Sequence, residues 1–345
     1  MLPKPKIVFL YSEIAGYFLA CAKALSKKAE VLIVRWPINY EAPFQFEDED
    51  DLKIICKSDF DKTELQEIVF DFKPTIIVAS GWMDKDYLKI VKSFKKKIPT
   101  VLTLDNHWTG SLKQRLASLM SPAIIKNKFT HAWVPGQPQV KFAKTLGFKN
   151  ITTGFYCADV DLHAENYEEV LVEKTRQFLY VGRYVKLKSI FEMWQAFIEL
   201  VDAGEAKEWE MVCAGAGEEF DNKIEHPQIK HLGFIQPKDL NQILNKNPIY
   251  ILPSNFEPWG VSVQEFAIAG CPLLISDKVG ARELFLEDGK NGFVISPTVS
   301  SIKEGMKKMM ALDKNSINLM RKESHKKGVA YTPELWAERL LEIKL

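Results

Sequence analysis

Short apolar runs alternate with amphipathic helical patterns along the first half of the chain. Each run is rich in Val, Ile and Leu and is followed by a segment with the 3.6-residue period of a helix. The predicted strands are 6–12, 30–37, 51–58, 75–81, 99–107 and 129–136, and the predicted helices are 16–29, 61–74, 84–97 and 137–147. Nearly continuous apolar strands joined by helices are typical of a parallel sheet that is covered on both faces.

The alternation stops at about residues 150–177, where the sequence is polar, acidic and typical of a linker, and then starts again. The predicted strands are 177–183, 209–217, 229–235, 248–254, 271–277 and 291–297, and the predicted helices are 188–204, 237–247 and 258–269. We therefore expect an α/β protein with two doubly wound domains, 1–165 and 170–325, that face each other across a cleft. A last amphipathic helix, 332–345, follows the second sheet and can pack on the first domain.

Composition and charge exclude several classes of protein. The chain has 345 residues, 46% of them hydrophobic and 26% charged, and its net charge of +1 gives no overall field that would attract nucleic acid. The N-terminus is predicted to be a strand rather than a signal peptide, and no apolar run is long enough to span a membrane. The five cysteines lack metal-ligand spacing, so we expect reduced thiols and no metal site. Together these features indicate a cytoplasmic location, and we expect no cofactor.

One stretch, "NFEPWGVSVQEFAIAGCP" (255–272), places Glu257 and Glu265 around a predicted helix start. If residues 257–265 are helical, the two carboxylates lie ~12 Å apart along the axis. The helix N-terminus would offer backbone N–H groups to an anion. The residues at this N-terminus are Pro258, Trp259, Gly260 and Val261, with Pro258 in the first turn. The arrangement suits a nucleoside diphosphate sugar, although a surface glutamate and a snorkelling glutamate explain the pair equally well.

The end of the predicted strand 177–183 adds two cations. Arg183 and Lys188 can both reach a diphosphate and stabilise the charge on a leaving group, whereas either one alone is commonly a solvated loop residue. The same strand end and two further ones carry glycines and one aromatic residue that could contact a nucleotide. The Gly-rich motif is weak evidence by itself, and plain core packing explains the strand 229–235 nearly as well. These candidate donor-binding residues are Gly182, Gly215, Gly217, Gly233 and Phe234.

Taken in order, the motifs over roughly residues 178–297 resemble those of retaining glycosyltransferase family 4, which has the GT-B fold. They are "VGR"-x4-Lys, "AGAGEE", "HLGFI", "LPSNFEPWGVSVQEFAIAGCPLLIS" and "GARELFLEDGKNGFVI". The resemblance implies that Arg183 and Lys188 contact the donor diphosphate, that Glu257 binds the sugar hydroxyls and that Glu265 binds the ribose. It also implies retention of anomeric configuration, with no enzyme nucleophile, and a terminal helix that crosses back to the first domain.

Two positions in the second half depart from the family pattern. Ser189 stands where a glycine usually follows the lysine, and Trp259 stands where a smaller residue or Phe is common. We expect the second difference to reshape the sugar pocket.

The first half resembles the family less closely and is expected to supply the acceptor site. Gly16 would lie in the loop that approaches the donor phosphate, where the family often has two glycines. After the strand at 99–107 the family commonly carries a His-Asp pair, but this chain has Asp105, with His107 displaced by two positions. Asp105 is our preferred acceptor-side residue and His107 its rival. The Asp-Val-Asp at 159–161 is interpreted as an interdomain turn and not as a metal site.

We therefore predict a metal-independent glycosyltransferase that moves a sugar from a nucleoside diphosphate to an acceptor hydroxyl, in bacterial polysaccharide, lipopolysaccharide or glycan assembly. The alternatives are a sugar-nucleotide epimerase and a non-catalytic sugar-binding scaffold. The expected partners are the nucleotide sugar and a glycan or lipid-linked acceptor, with no nucleic acid.

The segment 111–129 interleaves cations with apolar residues and could place the protein on a membrane, but a helix packed on the first sheet is the simpler interpretation.

Overall fold

The fold is that of a computed structural model that describes residues 3–37, 52–173 and 176–345. The chain folds into two compact units. The first unit ends at Asp159 and also includes Thr332–Leu345, and the second unit is Val160–Tyr331. No helix in the described residues is long and apolar enough to cross a lipid bilayer.

The first unit contains a seven-stranded sheet in which every neighbouring pair of strands is parallel. Its strands are β1 (Lys6–Leu10), β2 (Glu30–Arg35), β3 (Lys53–Cys56), β4 (Ile76–Ser80), β5 (Thr100–Thr103), β6 (His131–Val134) and β7 (Asn150–Thr153). Its helices are α1 (Gly16–Ser26), α2 (Lys62–Phe72), α3 (Lys85–Phe94), α4 (Leu112–Ser121) and α5 (Gln137–Thr145). The strand order β3-β2-β1-β4-β5-β6-β7 reverses direction between β1 and β4.

The second unit repeats this plan with a six-stranded parallel sheet of order β10-β9-β8-β11-β12-β13. Its strands are β8 (Gln177–Val181), β9 (Glu210–Ala214), β10 (Ile229–His231), β11 (Ile249–Leu252), β12 (Leu273–Ser276) and β13 (Gly292–Ile295). Its helices are α6 (Val160–Ala164), α7 (Ile190–Asp202), α8 (Asn241–Leu244), α9 (Val261–Ile268), α10 (Arg282–Phe285), α11 (Val299–Ala311) and α12 (Lys314–Gly328). The order reverses between β8 and β11, so both sheets are doubly wound.

The last helix, α13 (Pro333–Leu341), packs against α1 of the first unit. Trp336 is buried there: its ring centroid lies 4.8 Å from that of Trp133, and its Nε1–H donates to the carbonyl of Phe155 at 2.7 Å. The opposite face of the same sheet, including Val8 and Ile77, packs on α2, α3 and α5. The predicted doubly wound α/β architecture and the return of the terminal helix to the first sheet are confirmed.

Several predicted elements differ from the observed ones. The stretch interpreted as a linker contains β7, which pairs with β6, and the short helix α6. The predicted helix 237–247 is a 3₁₀ turn followed by the four-residue α8. Helices α11 and α12 are absent from the sequence-based prediction. The helix expected at 258–269 begins at Val261, which changes the geometry of the candidate site described below.

Candidate functional site

The sequence-predicted site residues of the second unit follow β8 and β11, which are neighbours in the sheet. Phe178 pairs with Ile249 and Leu179 with Tyr250, at the point where the strand order reverses. In open α/β sheets, ligands bind outside the carboxyl ends of the strands at this point. The loops after β8 and β11 therefore occupy the position where the fold favours a ligand site.

Backbone hydrogen bonds join these two loops directly. The N–H of Asn255 donates to the carbonyl of Leu187 at 2.9 Å, and the N–H of Phe256 donates to the same oxygen at 3.4 Å. These bonds bring the next residues together, and the ammonium of Lys188 forms an ion pair with the carboxylate of Glu257. The two side chains are only 16% and 14% exposed. Partial burial limits solvent screening, so the pair is stronger than a fully exposed one.

The loop of Glu257 is also attached to the residues after β12. The N–H of Glu257 donates to the carbonyl of Lys278 at 3.3 Å, and the N–H of Gly280 donates to the carbonyl of Glu257 at 3.1 Å. A Cβ at Gly280 would overlap the carbonyl oxygen of Pro258. Glycine is therefore required at this position, and the loop that carries Glu257 is fixed on both sides.

The turn before α9 corrects the expected position of Pro258. Pro258, Trp259 and Gly260 all precede the helix, and Gly260 is its N-cap residue with a φ of 90°. A Cβ at Gly260 would lie 3.1 Å from Cγ of Glu257, so both conformation and space favour glycine. Trp259 is only 3% exposed and belongs to the core. The ~12 Å estimate between the two glutamates does not apply, because it assumed a continuous helix.

Helix α9 begins at the same strand ends as Lys188 and Glu257. Its N-cap residue, Gly260, makes no side-chain hydrogen bond to the amides of the first turn. The ring of Phe266 stacks on that of Tyr250 in β11 with centroids 4.0 Å apart, which fixes the helix against the sheet. The helix dipole and the first-turn N–H groups favour an anion at this end.

Glu265 lies one turn into α9 and faces a histidine that sequence reasoning missed. The Nε2 atom of His163, in α6, lies 3.8 Å from a carboxylate oxygen of Glu265. Burial lowers the pKa of His163 to about 4. The imidazole is therefore neutral at pH 7, and its contact with Glu265 is not an ion pair. His163 lies in the stretch interpreted as a linker, so no strand or helix pattern draws attention to it.

The Arg183 side chain is exposed, and its backbone is held by Tyr180. The hydroxyl of Tyr180 donates to the carbonyl of Arg183 at 2.8 Å. A Cβ at Gly182 would lie 2.9 Å from that hydroxyl oxygen. Gly182 thus lets the tyrosine reach the loop, and the guanidinium group stays accessible to a ligand.

Backbone packing explains the glycines after β9. A Cβ at Gly215 would overlap the carbonyl oxygen of Gly182, and one at Gly217 would lie 2.6 Å from that of Tyr184. The N–H of Gly215 also donates to the carbonyl of Gly233 at 2.7 Å. The three strand ends therefore approach one another closely, whether or not a ligand is bound. Phe234, beside Gly233, is 39% exposed.

A hydroxyl at the end of β11 was also missed by sequence reasoning. Ser254 is fully buried, and its Oγ atom has no hydrogen-bond partner among the described residues. An unsatisfied buried polar group is an exception in folded proteins and requires an explanation. Its neighbour Asn255 forms the backbone bond that joins the two loops, so Ser254 immediately precedes the segment that carries Glu257.

The sequence-predicted residues of the first unit lie at the carboxyl ends of β1 and β5. Gly16 begins α1, and a Cβ there would meet no atom within 4 Å. The hydroxyl of Tyr156 lies 3.4 Å from a carboxylate oxygen of Asp105, and the Tyr156 ring contacts that of Tyr17 edge-on with centroids 5.7 Å apart. Tyr156, which sequence reasoning missed, therefore links the start of α1 to Asp105.

His107 is half-buried, and burial lowers its pKa. Its backbone carbonyl accepts a hydrogen bond from the side-chain amide of Gln114 at 2.8 Å. In the parts of the chain that the structure describes, no three His, Cys, Asp or Glu side chains are placed to hold a metal ion.

The second unit is similar to proteins of a known family. Residues 164–327 match the family model described as "Glycosyl transferases group 1". This similarity covers most of the second unit and a little under half of the chain.

Two curated relatives also match: an uncharacterized glycosyltransferase of Methanocaldococcus jannaschii is 24% identical over 144 residues, and spore coat protein SA of Bacillus subtilis is 30% identical over 131 residues. The M. jannaschii match covers 39% of this chain and 36% of the relative, and the B. subtilis match covers 34% of each. The matched region therefore spans about a third of the length of each relative.

Several solved structures show the same fold over nearly the whole chain. Sucrose-phosphate synthase from Thermosynechococcus elongatus has a TM-score of 0.74 at 14% identity, with 98% of both chains covered. HepE of Anabaena, solved with UDP and glucose, has a TM-score of 0.71 at 15% identity, again with 98% of both chains covered. An Escherichia coli protein described as "Trehalose-6-phosphate", bound with UDP-2-fluoro glucose, has a TM-score of 0.73 at 10% identity, covering 99% of this chain and 100% of that one. At these identities the likeness establishes the GT-B fold alone.

Proposed function

We propose that the protein is a retaining glycosyltransferase of family 4 that transfers a sugar from a nucleoside diphosphate sugar to an acceptor hydroxyl. The observation that carries the proposal is the ion pair between Lys188 and Glu257 at the sheet reversal of the second unit, beside the start of α9. It places a cation, a carboxylate and a helix N-terminus at the position where this fold binds ligands.

The cations are proposed to bind the donor diphosphate. An ammonium group has three N–H donors, so Lys188 can keep its contact with Glu257 and still donate to a phosphate oxygen. Arg183 adds an exposed guanidinium, and α9 adds the amides of its first turn. Together these groups would stabilise the negative charge that develops on the departing diphosphate, in place of a metal ion.

The two carboxylates are proposed to bind hydroxyl groups of the donor. Glu257 would accept hydrogen bonds from the sugar while its other contacts hold Lys188. Glu265 would accept them from the ribose, beside the neutral imidazole of His163. A nucleoside diphosphate sugar as donor is supported by two proteins of the same fold, the Anabaena protein solved with UDP and glucose and the E. coli protein bound with UDP-2-fluoro glucose.

The reaction is proposed to proceed with retention of configuration and without an enzyme nucleophile. The bond between the anomeric carbon and the diphosphate oxygen breaks, and the acceptor oxygen bonds to the same face of that carbon. A phosphate oxygen of the leaving group takes the acceptor proton. The first unit, with Asp105 and Tyr156, is proposed to bind a glycan or lipid-linked acceptor for bacterial polysaccharide or lipopolysaccharide assembly in the cytoplasm, and Gly16 is proposed to let a donor phosphate approach the backbone.

The proposal is tested by ligand binding and by product release. A thermal-shift screen of UDP-, GDP-, ADP- and TDP-sugars should reveal one that stabilises the protein, since a ligand at about 100 times its Kd adds roughly 2.7 kcal/mol. Lys188→Ala should abolish the shift. Lys186→Ala should not, because the ammonium of Lys186, in the same turn, pairs with Glu219 at 3.5 Å and not with Glu257.

Release of free nucleoside diphosphate separates the remaining alternatives. A transferase releases it in proportion to acceptor, whereas an epimerase changes the sugar without needing an acceptor. A non-catalytic scaffold would bind the nucleotide sugar and release nothing with any acceptor tested. If no nucleotide sugar shifts the melting temperature, or if Lys188→Ala turns over donor at the wild-type rate, the proposed function is wrong.

A further inference from the structure

The helix α4 of the first unit exposes its apolar face, whereas an ordinary surface helix buries that face against its own domain. Its large apolar residues are exposed, and Ser121 is its one buried residue. At 100° per residue these apolar side chains form a stripe about 100° wide, the width expected for a face that packs on something. They are Leu112 (79% exposed), Leu116 (59%), Leu119 (79%) and Met120 (54%).

The inner face of α4 is held to the protein by hydrogen bonds. The side-chain oxygen of Gln114 accepts from the N–H groups of Thr109 and Gly110 at 2.7 and 3.1 Å. The hydroxyl of Ser121 donates to the carbonyl of Leu146 at 2.6 Å. The outward orientation of the leucines is therefore fixed by specific contacts on the opposite side of the helix.

Cations flank this apolar stripe and continue beyond its C-terminal end. Lys113 lies on one side of the stripe, at about 100° from Leu112 around the helix, and Arg115 lies on the other, at about −60°. The ammonium of Lys95, from the end of α3, donates to the carbonyl of Lys126. Partial burial and then the nearby charges of Lys92 and Lys95 lower the pKa of Lys128, which shows that these lysines are close together.

The charged side chains in the sequence around the helix are all positive. Between Asp105 and Asp159 the chain has no acidic residue. Its seven cations in this interval are Lys113, Arg115, Lys126, Lys128, Lys141, Lys144 and Lys149. In a chain whose net charge is +1, this concentration gives one region of the first unit a positive field that the whole molecule lacks.

We propose that the exposed face of α4 docks on an anionic lipid surface, with its leucines inserted between the headgroups and the surrounding cations against the lipid phosphates. An apolar stripe bordered by Lys and Arg on a helix that lies on the surface of its own domain is the pattern of an interfacial helix. The charge complementarity favours anionic lipid over an apolar protein groove, which would offer these cations no negatively charged partner. This proposal does not depend on the proposed transfer reaction.

The test is co-sedimentation of the whole protein with vesicles of phosphatidylcholine alone and of phosphatidylcholine mixed with phosphatidylglycerol. We expect binding to the anionic vesicles that weakens as salt rises. The double variant Leu112→Gln/Leu119→Gln should bind roughly tenfold more weakly or worse, because it removes the two most exposed apolar side chains of the helix. The matched control Leu319→Gln, at a 65% exposed leucine of α12, should bind like the wild type.

Failure of the proposal is equally clear. Wild-type protein that stays with the supernatant, or a double variant that binds as tightly as the wild type, overturns it, as do equal losses in the double variant and the control. A dimer in sedimentation velocity that the double variant abolishes, without vesicle binding, would assign the face to a second copy of the chain instead. Thermal melts of all variants confirm that the substituted surface residues leave the fold intact.

Discussion

Lys188 and Glu257 are 69 residues apart in the sequence, yet they form an ion pair at the ends of two adjacent strands. The contact depends on the bonds from the N–H groups of Asn255 and Phe256 to the carbonyl of Leu187. It also depends on Gly280, which leaves room for the carbonyl of Pro258. The pair is thus part of a rigid loop cluster in which the lysine and the carboxylate each limit where the other can move.

The first prediction separates the structural and the chemical roles of this pair. Lys188→Ala should lower kcat/KM roughly 100- to 1,000-fold, the usual cost of removing one group that stabilises a transition-state charge. It should also lower the free energy of unfolding by about 1–3 kcal/mol, because Glu257 keeps a partly buried charge without its partner.

The double variant Lys188→Met/Glu257→Gln completes this test, with stability measured by denaturant and transfer by diphosphate release. It should recover much of the lost stability, since no unpaired charge remains, but none of the activity. Recovery of activity together with stability would show that the pair acts only by holding the loops.

The second prediction concerns two glycines with opposite surroundings. Gly16→Ala adds a methyl group into open space at the start of α1, so stability should stay the same or rise by up to about 1 kcal/mol. Gly280→Ala drives a methyl group into the backbone of Pro258 and should cost about 1–3 kcal/mol or more. Urea denaturation measures both effects.

Donor binding tests the expected role of Gly16 separately. If a phosphate approaches the backbone there, Gly16→Ala should raise the KM for the donor while leaving stability unharmed. A variant with wild-type KM would remove Gly16 from the site, and a destabilised one would contradict the open space around it.

The third prediction is a pH dependence that arises from His163. Burial lowers its pKa to about 4, below the usual 6.5, so the folded protein binds this proton less readily than the unfolded chain. The contribution to stability is therefore fully present above pH 6.5 and is lost as the pH falls from about 6.5 to about 4. The loss is at most about 3 kcal/mol, and the carboxylate of Glu265 at 3.8 Å reduces it.

Chemical denaturation of wild type and His163→Gln between pH 7 and 4 measures this effect. The wild-type curve should fall more steeply, because only the wild type loses the contribution of the neutral His163. The carboxylates common to both proteins cancel in the difference between the two curves. Parallel curves would show that folding does not shift the pKa of His163, and a wild-type curve that falls less steeply would show a raised pKa, as a true ion pair with Glu265 would require.

The strand pattern predicted twelve of the thirteen strands in the described residues, because buried parallel strands form short apolar runs in the sequence. It also placed Arg183, Lys188 and Glu257 at strand ends. The polar edge strand Asn150–Thr153 was missed, since only one of its edges pairs and its sequence alternates weakly. His163 and Tyr156 were not predicted as site residues either, because both lie in the stretch 150–177 that was interpreted as a linker.

Local preference misled the prediction of the helix start. Proline favours the first helical turn, so Pro258 pointed to a helix from that residue. The observed start is set by Gly260, whose φ of 90° breaks the helix and whose position depends on Glu257 and Val279. Contacts of this kind join residues that are distant in sequence, and no periodicity of the chain reports them.

The fourth prediction concerns Ser189, where the resemblance to family 4 led us to expect glycine. Ser189 has a φ of 50°, in the left-handed region that costs a residue with a Cβ about 1 kcal/mol or more. Ser189→Gly should therefore raise the free energy of unfolding by up to about 1 kcal/mol and leave kcat/KM unchanged, because the residue precedes α7 and is buried. A loss of stability would mean that contacts of the serine side chain outweigh the backbone strain.

The fifth prediction tests the return of α13 to the first unit. Trp336→Ala should destabilise that unit by about 3–5 kcal/mol, since it empties a buried site between Phe9, Phe18 and Trp133. Trp336→Phe retains most of the packing but leaves the carbonyl of Phe155 without its donor, and should cost less stability than Trp336→Ala.

Hydrogen exchange of the amides of β1 and β6 should quicken in the same order, while the amides of β8 and β11 keep their protection. Equal loss of protection in both sheets would show that the two units unfold as one, and unchanged exchange in β1 would show that α13 adds nothing to the first sheet.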